Sequence, residues 1–317
     1  MKNNLENTYS IAFYNLENLF DTVDDPNTFD DDFTPNGRNK WNEKRYERKV
    51  KKLASVIAQI GLDTIETPPL IVGVAEVENL NVLNDLVQSK DLEAHHYGIV
   101  HYDSLDERGI EVALLYQKEH FELIDSQAFP LLLFRENGER DFSRDILLVK
   151  GKLKGELIYF IVNHWPSRRK GTEETQPNRI KAAILVHEII DTIRQEISDP
   201  KIVIMGDFND NPTSPSIKQH LVTENFYNPF ESMYDRGRGT ATHDKNWYLF
   251  DQIIFSRNFF AEDTKALTFR KAAIFDEHFL KSWKGKHRGS PFRTYIGKWH
   301  QGGFSDHFPV YITLAIH

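Results

Sequence analysis

The sequence of 317 residues contains no cysteine, and this absence excludes several kinds of chemistry. Disulfide bonds, thiolate nucleophiles, and zinc or iron–sulfur centres held by cysteine are all ruled out. The sequence also lacks an apolar run of about 18 residues, the length that a membrane-spanning helix needs. Its first residues are polar and do not resemble the apolar centre of an export signal. We therefore expect a cytoplasmic protein without a membrane span.

An excess of positive charge is missing as well. The 39 lysine and arginine residues are outnumbered by 47 aspartate and glutamate residues, and the net charge is −8. This balance excludes a protein coated in basic residues to grip nucleic acid, but not a local basic site. The apolar content of 40% is ample for a packed core and excludes disorder of the whole chain. Because no linker, low-complexity segment or fixed repeat is present, we expect one domain over residues 1–317.

Short apolar runs alternate with amphipathic stretches along the chain, a pattern typical of α/β folds. Runs rich in Val, Ile, Leu, Tyr and Phe predict strands at residues 10–14, 70–75, 110–116, 145–150, 157–162, 202–205, 249–255 and 310–316. Helical spacing of apolar residues predicts helices at residues 43–60, 79–89 and 179–197. The last helix follows Gln176-Pro177-Asn178, which is typical of a helix start.

Polar side chains lie at the ends of five predicted strands, in segments 13–18, 72–77, 160–166, 202–210 and 303–310. In open α/β sheets, sites collect beyond the strand ends. Singly, each residue has an ordinary structural interpretation: Glu76 as a helix cap or ion-pair partner, His164 as a structural histidine, Asp207 with Asn209 as an Asx-type turn. Together they supply a carboxylate to deprotonate water, donors for phosphoryl oxygens and carboxylates for a divalent cation. This combination favours hydrolysis of a phosphate ester.

The order of these residues is distinctive: Asn15, Glu76, His164, Gly206-Asp207-Phe208-Asn209, Asp251 and Ser305-Asp306-His307. Over nearly the whole chain, this order resembles the endonuclease/exonuclease/phosphatase superfamily, which includes pancreatic deoxyribonuclease and inositol-polyphosphate 5-phosphatases. Segments 13–21 and 163–168 are most similar to a bacterial subgroup of secreted nucleases and uncharacterised proteins. The resemblance implies a four-layer α-β-β-α sandwich, in which two mixed β-sheets pack face to face with helices outside.

The resemblance also implies a metal site. Glu76 would be the main ligand of Mg²⁺, a hard cation that prefers carboxylate oxygen, and Mn²⁺ would be a substitute. Asn15 would hold the geometry between metal and phosphate. Glu17 or Asp306 would support a metal directly or through water.

Catalytic roles follow from the same resemblance. Asp207 would orient and deprotonate the attacking water, and Asn209 would donate its amide to a phosphate oxygen. His307, aligned by Asp251, would stabilise the negative charge that develops on phosphorus. His164 would do similar work from the other side.

Other positions have two interpretations each. Glu111 is a candidate for the carboxylate partner of His164, or it is a surface residue of its strand. Arg168, with Arg169 and Lys170, is a candidate for binding substrate phosphates or part of a solvated loop. Arg179 either points into the cleft as a substrate-binding residue or pairs with a nearby glutamate.

One stretch differs in charge from the rest of the chain. Residues 278–305 contain no aspartate or glutamate, but they contain six lysine and arginine residues with aromatic residues between them. This segment is either a solvated loop or a lobe that meets a polyanionic substrate by charge and stacking.

We interpret the chain as a Mg²⁺-dependent phosphodiesterase or nuclease, with DNA or RNA as candidate substrates. One alternative is a phosphomonoesterase acting on inositol phosphates or lipids. Another is a catalytically silent module that binds nucleic acid or protein, which the desolvation cost of retaining so many charged cleft residues disfavours. A zinc hydrolase is disfavoured because the 13 histidines show no His-Glu-x-x-His spacing. The oligomeric state is left open.

Overall fold

The computed structural model describes residues 7–169, 171–261 and 266–316, in which strands are the commonest element. The strands are β1 (Thr8–Leu19), β2 (Ile71–Val77), β3 (Tyr97–His101), β4 (Glu111–Gln117), β5 (Phe121–Phe129), β6 (Leu133–Phe134), β7 (Arg140–Asp141), β8 (Ile146–Leu153), β9 (Glu156–His164), β10 (Lys201–Asp207), β11 (Phe226–Tyr227), β12 (Ala241–His243), β13 (Asn246–Tyr248), β14 (Asp251–Ser256), β15 (Thr268–Ile274), β16 (Tyr295–Ile296), β17 (Trp299–His300) and β18 (Val310–Ala315). The α-helices are α1 (Glu43–Ile57), α2 (Leu80–Val87), α3 (Thr172–Glu196) and α4 (Glu231–Asp235), and a π-helical turn occupies Ser216–Leu221.

Two six-stranded sheets form the centre of the molecule. Their strand orders are β15-β18-β1-β2-β4-β3 and β11-β14-β10-β9-β8-β5. Each sheet contains one parallel pair, β1 with β2 and β9 with β10, among antiparallel neighbours. The sheets pack face to face through β1, β2 and β4 on one side and β9, β10 and β14 on the other. Helices α1 and α2 cover the first sheet and α3 covers the second, which confirms the predicted four-layer α-β-β-α sandwich.

The alternation of side chains along β10 shows how the layers are built. Val203 and Met205 point into the core between the two sheets, whereas Ile202 and Ile204 point into the core beneath α3. Successive side chains of a strand face opposite sides of its sheet, so a central strand covered on both faces must be apolar throughout. The core between the sheets includes residues from the start and the end of the chain. It supports the expected single domain over residues 1–317, which stays a prediction.

The strand register places the site residues at one edge of each sheet. In the second sheet, Asp207 at the end of β10 pairs with His164 on one side and Asp251 on the other. In the first sheet, Asn15 of β1 lies beside the residue that precedes Glu76. The carboxyl ends of parallel strands meet at the same edge of a sheet, and this geometry brings distant segments together.

Gly206 precedes Asp207 because no side chain fits there. A Cβ atom at this position would lie 2.4 Å from the backbone oxygen of Asn163 on β9. The glycine of the Gly-Asp-Phe-Asn motif is therefore explained by close approach between neighbouring strands, without any role in chemistry.

All eight predicted strands and the first two predicted helices are present, but one predicted helix start was wrong. Helix α3 begins at Thr172, so Pro177 lies inside it. Pro177 is the sixth residue of α3 and has no N–H to bond to the backbone oxygen of Glu173, so α3 lacks one intrahelical hydrogen bond there. Of the strands in the two six-stranded sheets, β3, β5, β11 and β15 were not predicted, and neither were the short strands β6, β7, β12, β13, β16 and β17. Strand β5 is mostly exposed and has little apolar alternation to reveal it. Among the described residues, no helix has the length and apolar character needed to cross a membrane.

Candidate active site

Asp207 lies between two histidines at the end of the second sheet. Its Oδ2 atom is 3.8 Å from Nε2 of His164 and 3.9 Å from Nε2 of His307. The side-chain amide of Asn15 donates to the same oxygen at 3.0 Å, and the backbone N–H of Asn209 donates to Oδ1 at 2.9 Å. Three segments from other parts of the chain, which carry Asn15, His164 and His307, thus converge on one buried carboxylate.

Burial raises the pKa of Asp207 to about 7, although the nearby His307 acts in the opposite direction. A carboxylate with a pKa near neutrality accepts a proton more readily than an ordinary aspartate and is still ionised in part at pH 7. This environment is consistent with the general-base role expected for Asp207, which stays a prediction.

His307 and Asp251 form a hydrogen-bonded pair. Nδ1 of His307 lies 2.6 Å from Oδ2 of Asp251, which is fully buried. Burial by itself would lower the pKa of His307, but attraction to Asp251 and Asp207 outweighs it and raises this pKa well above the usual value. The structure thus forms the His307–Asp251 pair that the resemblance implied, with an imidazolium that can face negative charge on a substrate.

His164 differs from His307 in its charge. Burial, together with the positive charges of Arg144 and Arg108, lowers the pKa of His164 well below its usual value. The imidazole is therefore neutral and can only donate or accept hydrogen bonds. Its Nδ1 atom is buried without a hydrogen-bond partner among the described residues. The expectation that His164 matches His307 in charge stabilisation needs this correction.

Glu111 does not form the predicted pair with His164. Its Oε1 atom accepts hydrogen bonds from the Ser104 hydroxyl at 2.8 Å and the Ser104 backbone N–H at 3.1 Å. Glu111 begins β4, and its side chain ties the loop before β4 to that strand. Burial raises the pKa of Glu111 to about 8. The alternative interpretation, a surface residue of its strand, is also wrong, because the side chain of Glu111 is buried.

This correction predicts the behaviour of Glu111→Gln. The pKa is raised from 4.5 to about 8 in the folded protein. Below pH 4.5 the carboxyl is protonated in both states and its contribution to stability is fully present. Between pH 4.5 and about 8 only the unfolded chain ionises, so stability falls as pH rises. We expect the glutamine variant to lose this decline and to keep its turnover.

Urea unfolding across this pH range measures the effect, and the exposed Glu122→Gln is the matched control. A variant with an unchanged pH slope would contradict the assigned burial. Loss of turnover in a folded Glu111→Gln variant would return Glu111 to the catalytic group.

Glu76 lies on the first sheet, opposite His164. Its Oε2 atom accepts the backbone N–H of Asn18 at 2.9 Å, and its Oε1 atom is 3.8 Å from Nε2 of His164. The backbone of Glu76 is left-handed with φ of 61°, and Glu17 and Asn18 share this conformation with φ of 48° and 52°. Such conformations are costly for residues other than glycine and often occur at functional sites, where the surrounding structure maintains them.

The donors beside Asp207 fit a hard divalent cation. Oε1 of Glu76 accepts no hydrogen bond within the described part of the chain, and Oδ1 of Asn15 accepts one, from the backbone N–H of Glu17 at 2.9 Å. Carboxylate and amide oxygens are the donors that such a cation prefers. Donor atoms of Asp207, Asp251 and His307 also lie within 4.8 Å of one another. Nδ1 of His307 and Oδ2 of Asp251 in this group are already hydrogen-bonded to each other.

Glu17 and Asp306 connect the site to residues 278–305, which we call the basic segment. Glu17 accepts the backbone N–H of Thr294 at 2.6 Å, and Asp306 forms an ion pair with Arg293. Burial and the charge of Asp306 raise the pKa of Glu17 to about 7. Both carboxylates thus have protein partners, and support of a metal by either remains a prediction.

The two arginines predicted to bind substrate have structural roles instead. Arg179 is fully buried, and its Nε donates to Asp210 at 2.7 Å. Arg168 donates to the same carboxylate and, at 2.6 Å, to the backbone oxygen of Asn209. Together they hold the loop that carries Asn209. Arg169 is exposed, and Lys170 lies outside the described residues.

Two further arginines at the site were not predicted. Arg108 donates to the side chain of Asn18 and lies 3.9 Å from Glu76. Arg144 donates at 2.9 Å to the backbone oxygen of Trp165, which also accepts the amide of Asn209 at 3.0 Å. No local pattern distinguishes these arginines from other charged residues, because long-range packing alone brings them to the site.

Residues 10–316 match the model of the Endonuclease/Exonuclease/phosphatase family, and the chain belongs to this family of phosphoester hydrolases. The predicted superfamily is thus confirmed over nearly the whole chain. Members of the family depend in general on divalent metals, in agreement with the donors at this site. Among curated protein sequences, no match was found.

Solved structures of similar fold include TDP2 and a bacterial phosphatase. Truncated Caenorhabditis elegans TDP2 has a TM-score of 0.61 and 14% identity, with 97% of each chain covered. D. rerio TDP2 complexed with a single-strand DNA product has a TM-score of 0.58 and 14% identity, covering 97% of this chain and 98% of that one. A Bacteroides thetaiotaomicron mannosyl-6-phosphatase has a TM-score of 0.59 and 16% identity, covering 97% and 100%. At these identities the likeness concerns the fold alone.

Proposed function

We propose that this protein is a Mg²⁺-dependent phosphodiesterase that acts on nucleic acid. The observation that carries the proposal is the convergence of Asn15, Glu76, His164, Asp207 and His307 at one edge of the sandwich, with Asp207 between the two histidines. The DNA product bound to the similar TDP2 fold supports a nucleic-acid substrate. Mn²⁺ would replace Mg²⁺ at the same oxygen donors.

Each side chain has a distinct task in this reaction. Asp207 takes the proton of the attacking water, and Asn15 holds the carboxylate in place through its amide. His307 meets the charge that develops on the phosphoryl oxygens, since its pKa is raised. Neutral His164 donates a hydrogen bond from the opposite side. Glu76 and Asn15 would hold the metal, which withdraws charge from the phosphate when bound.

A phosphoester panel tests the proposal. We expect the purified protein to hydrolyse bis-p-nitrophenyl phosphate and single-stranded DNA with Mg²⁺ or Mn²⁺, and to lose this activity in EDTA. Faster turnover of p-nitrophenyl phosphate, inositol phosphates or a phosphorylated sugar would favour the phosphomonoesterase instead. No metal-dependent turnover on any of these substrates would reject the enzyme in favour of a silent binding module. The predicted cytoplasmic location is independent of this test.

A further inference from the structure

A cavity of about 650 Å³ opens beside the catalytic residues. One wall is the hairpin of β12 and β13, which contributes Lys245 and Trp247. The other wall is the basic segment, which contributes Lys286 and Arg288. The cavity reaches Asp306, the residue before His307. Its volume is within the range of sites that bind small molecules.

The hairpin of β12 and β13 is bound by backbone contacts to the segment that carries His307. A β-bridge joins Ala241 to His307, and the backbone N–H of Phe308 donates to the backbone oxygen of Thr240 at 2.8 Å. The ring of Trp247 stacks on that of Phe308, with a centroid distance of 6.0 Å and an interplanar angle of 24°. Because these contacts surround His307, a ligand in the cavity would have a defined position relative to the reacting phosphate.

The charges in the cavity are not balanced by the protein. Of its two aspartates, Asp306 is paired with Arg293, which leaves Asp244 as the one carboxylate beside Lys245, Lys286 and Arg288 among the residues that line the cavity. Lys245, Lys286 and Arg288 take part in none of the ion pairs formed by described residues. In a protein of net charge −8, three cations that gather around one cavity without carboxylate partners indicate an anionic ligand.

Trp247 adds a second element of recognition. Its side chain lines the cavity and is 37% exposed, although one ring face packs on Phe308. An aromatic ring beside unpaired cations is the combination that binds a nucleotide, because the base stacks on the ring and the phosphate meets the cations.

We propose that this cavity is a substrate subsite that holds one nucleotide of a single strand adjacent to the phosphodiester being hydrolysed. The base lies against Trp247, and its phosphate contacts Lys286 and Arg288. This inference rests on the proposed function and narrows it to single-stranded nucleic acid. It also assigns the basic segment to substrate binding and not to solvent.

The test measures binding of a fluorescent single-stranded deoxyoligonucleotide to the full chain in EDTA, by anisotropy, at several salt concentrations. We expect Lys286→Gln/Arg288→Gln to weaken binding by about tenfold or more. The slope of log K against log salt should fall by about 1.4, because each phosphate contact on a single strand contributes about 0.7. Lys298→Gln is the matched control, since Lys298 is exposed in the same segment and does not line the cavity.

A second pair of variants tests stacking. Trp247→Ala should weaken binding by about fivefold or more, whereas Trp247→Phe, which retains a ring against Phe308, should keep most of the affinity. An oligonucleotide without bases should bind both variants and the wild type equally. In Mg²⁺, we compare kcat/KM for the oligonucleotide with kcat/KM for bis-p-nitrophenyl phosphate. The ratio of the first to the second should be lower in the variants that bind the oligonucleotide more weakly.

The outcomes separate the two proposals. Unchanged affinity and salt slope in Lys286→Gln/Arg288→Gln, or an equal loss in Lys298→Gln, would overturn the subsite while leaving hydrolysis intact. Wild-type protein that binds the oligonucleotide through these residues but hydrolyses no phosphoester would reject the proposed enzyme, and the cavity would then be a nucleotide-binding site and not a substrate subsite.

Discussion

Replacement of Asp207 by asparagine is expected to lower kcat by at least about a hundredfold while the protein stays folded. Asparagine has nearly the same shape as aspartate, but its amide cannot take a proton from water. The change also alters the hydrogen bond with Asn15, because an amide nitrogen facing the Asn15 donor cannot accept it. Both effects act on the reacting water. The loss should therefore appear in kcat under saturating metal and substrate.

Hydrolysis of bis-p-nitrophenyl phosphate in Mg²⁺ measures the loss, and thermal unfolding shows whether the variant remains folded. Asp191→Asn is the control, since Asp191 is 69% exposed on α3 and undergoes the same chemical change. Near-normal turnover of folded Asp207→Asn would reject Asp207 as the general base, and another group would have to activate water.

Removal of His307 should reduce both turnover and stability. We expect His307→Ala to lower kcat by about a hundredfold to a thousandfold, the scale of losing one group that stabilises charge in the transition state. Asp251 is fully buried, and its Oδ1 atom has no hydrogen-bond partner among the described residues. Without His307 its charge is uncompensated, and the free energy of unfolding should fall by about 3–5 kcal/mol.

The double variant His307→Ala/Asp251→Ala separates these two effects. Removing the isolated carboxylate should recover part of the lost stability, and turnover should remain low because the imidazolium is still absent. Urea unfolding and kcat are measured on the wild type, both single variants and the double variant. Recovery of turnover in the double variant would show that His307→Ala acted through folding alone. If His307→Ala and His307→Ala/Asp251→Ala had the same free energy of unfolding, the charge pairing between His307 and Asp251 would be contradicted.

The strands that carry the site were predictable because they are buried on both faces. Continuous apolar runs such as 202–205 cannot be exposed, and the polar residues that follow them must lie at a sheet edge. Helix α3 shows the limit of local signals. Its apolar spacing was clear, but its first residue was misplaced because the start signal around Pro177 lies within the helix.

Side-chain partners were predicted less well than strands. The His307–Asp251 pair matches the resemblance, whereas Glu111 bonds to Ser104, and Arg168 and Arg179 bond to Asp210. A charged residue in a sequence looks the same whether its partner is a substrate or another side chain. Only burial and distance distinguish the two, and both depend on packing.

The sequence by itself determined which chemical groups are available and in which order, because apolar periodicity places strands, and the residues at strand ends define the family. The tertiary structure alone decided the charges of His164 and His307, the partners of Arg168 and Arg179 and the position of the basic segment beside His307. These properties arise from contacts between residues far apart along the chain. The energy of such contacts depends on how deeply each group is buried and on which opposite charge it meets.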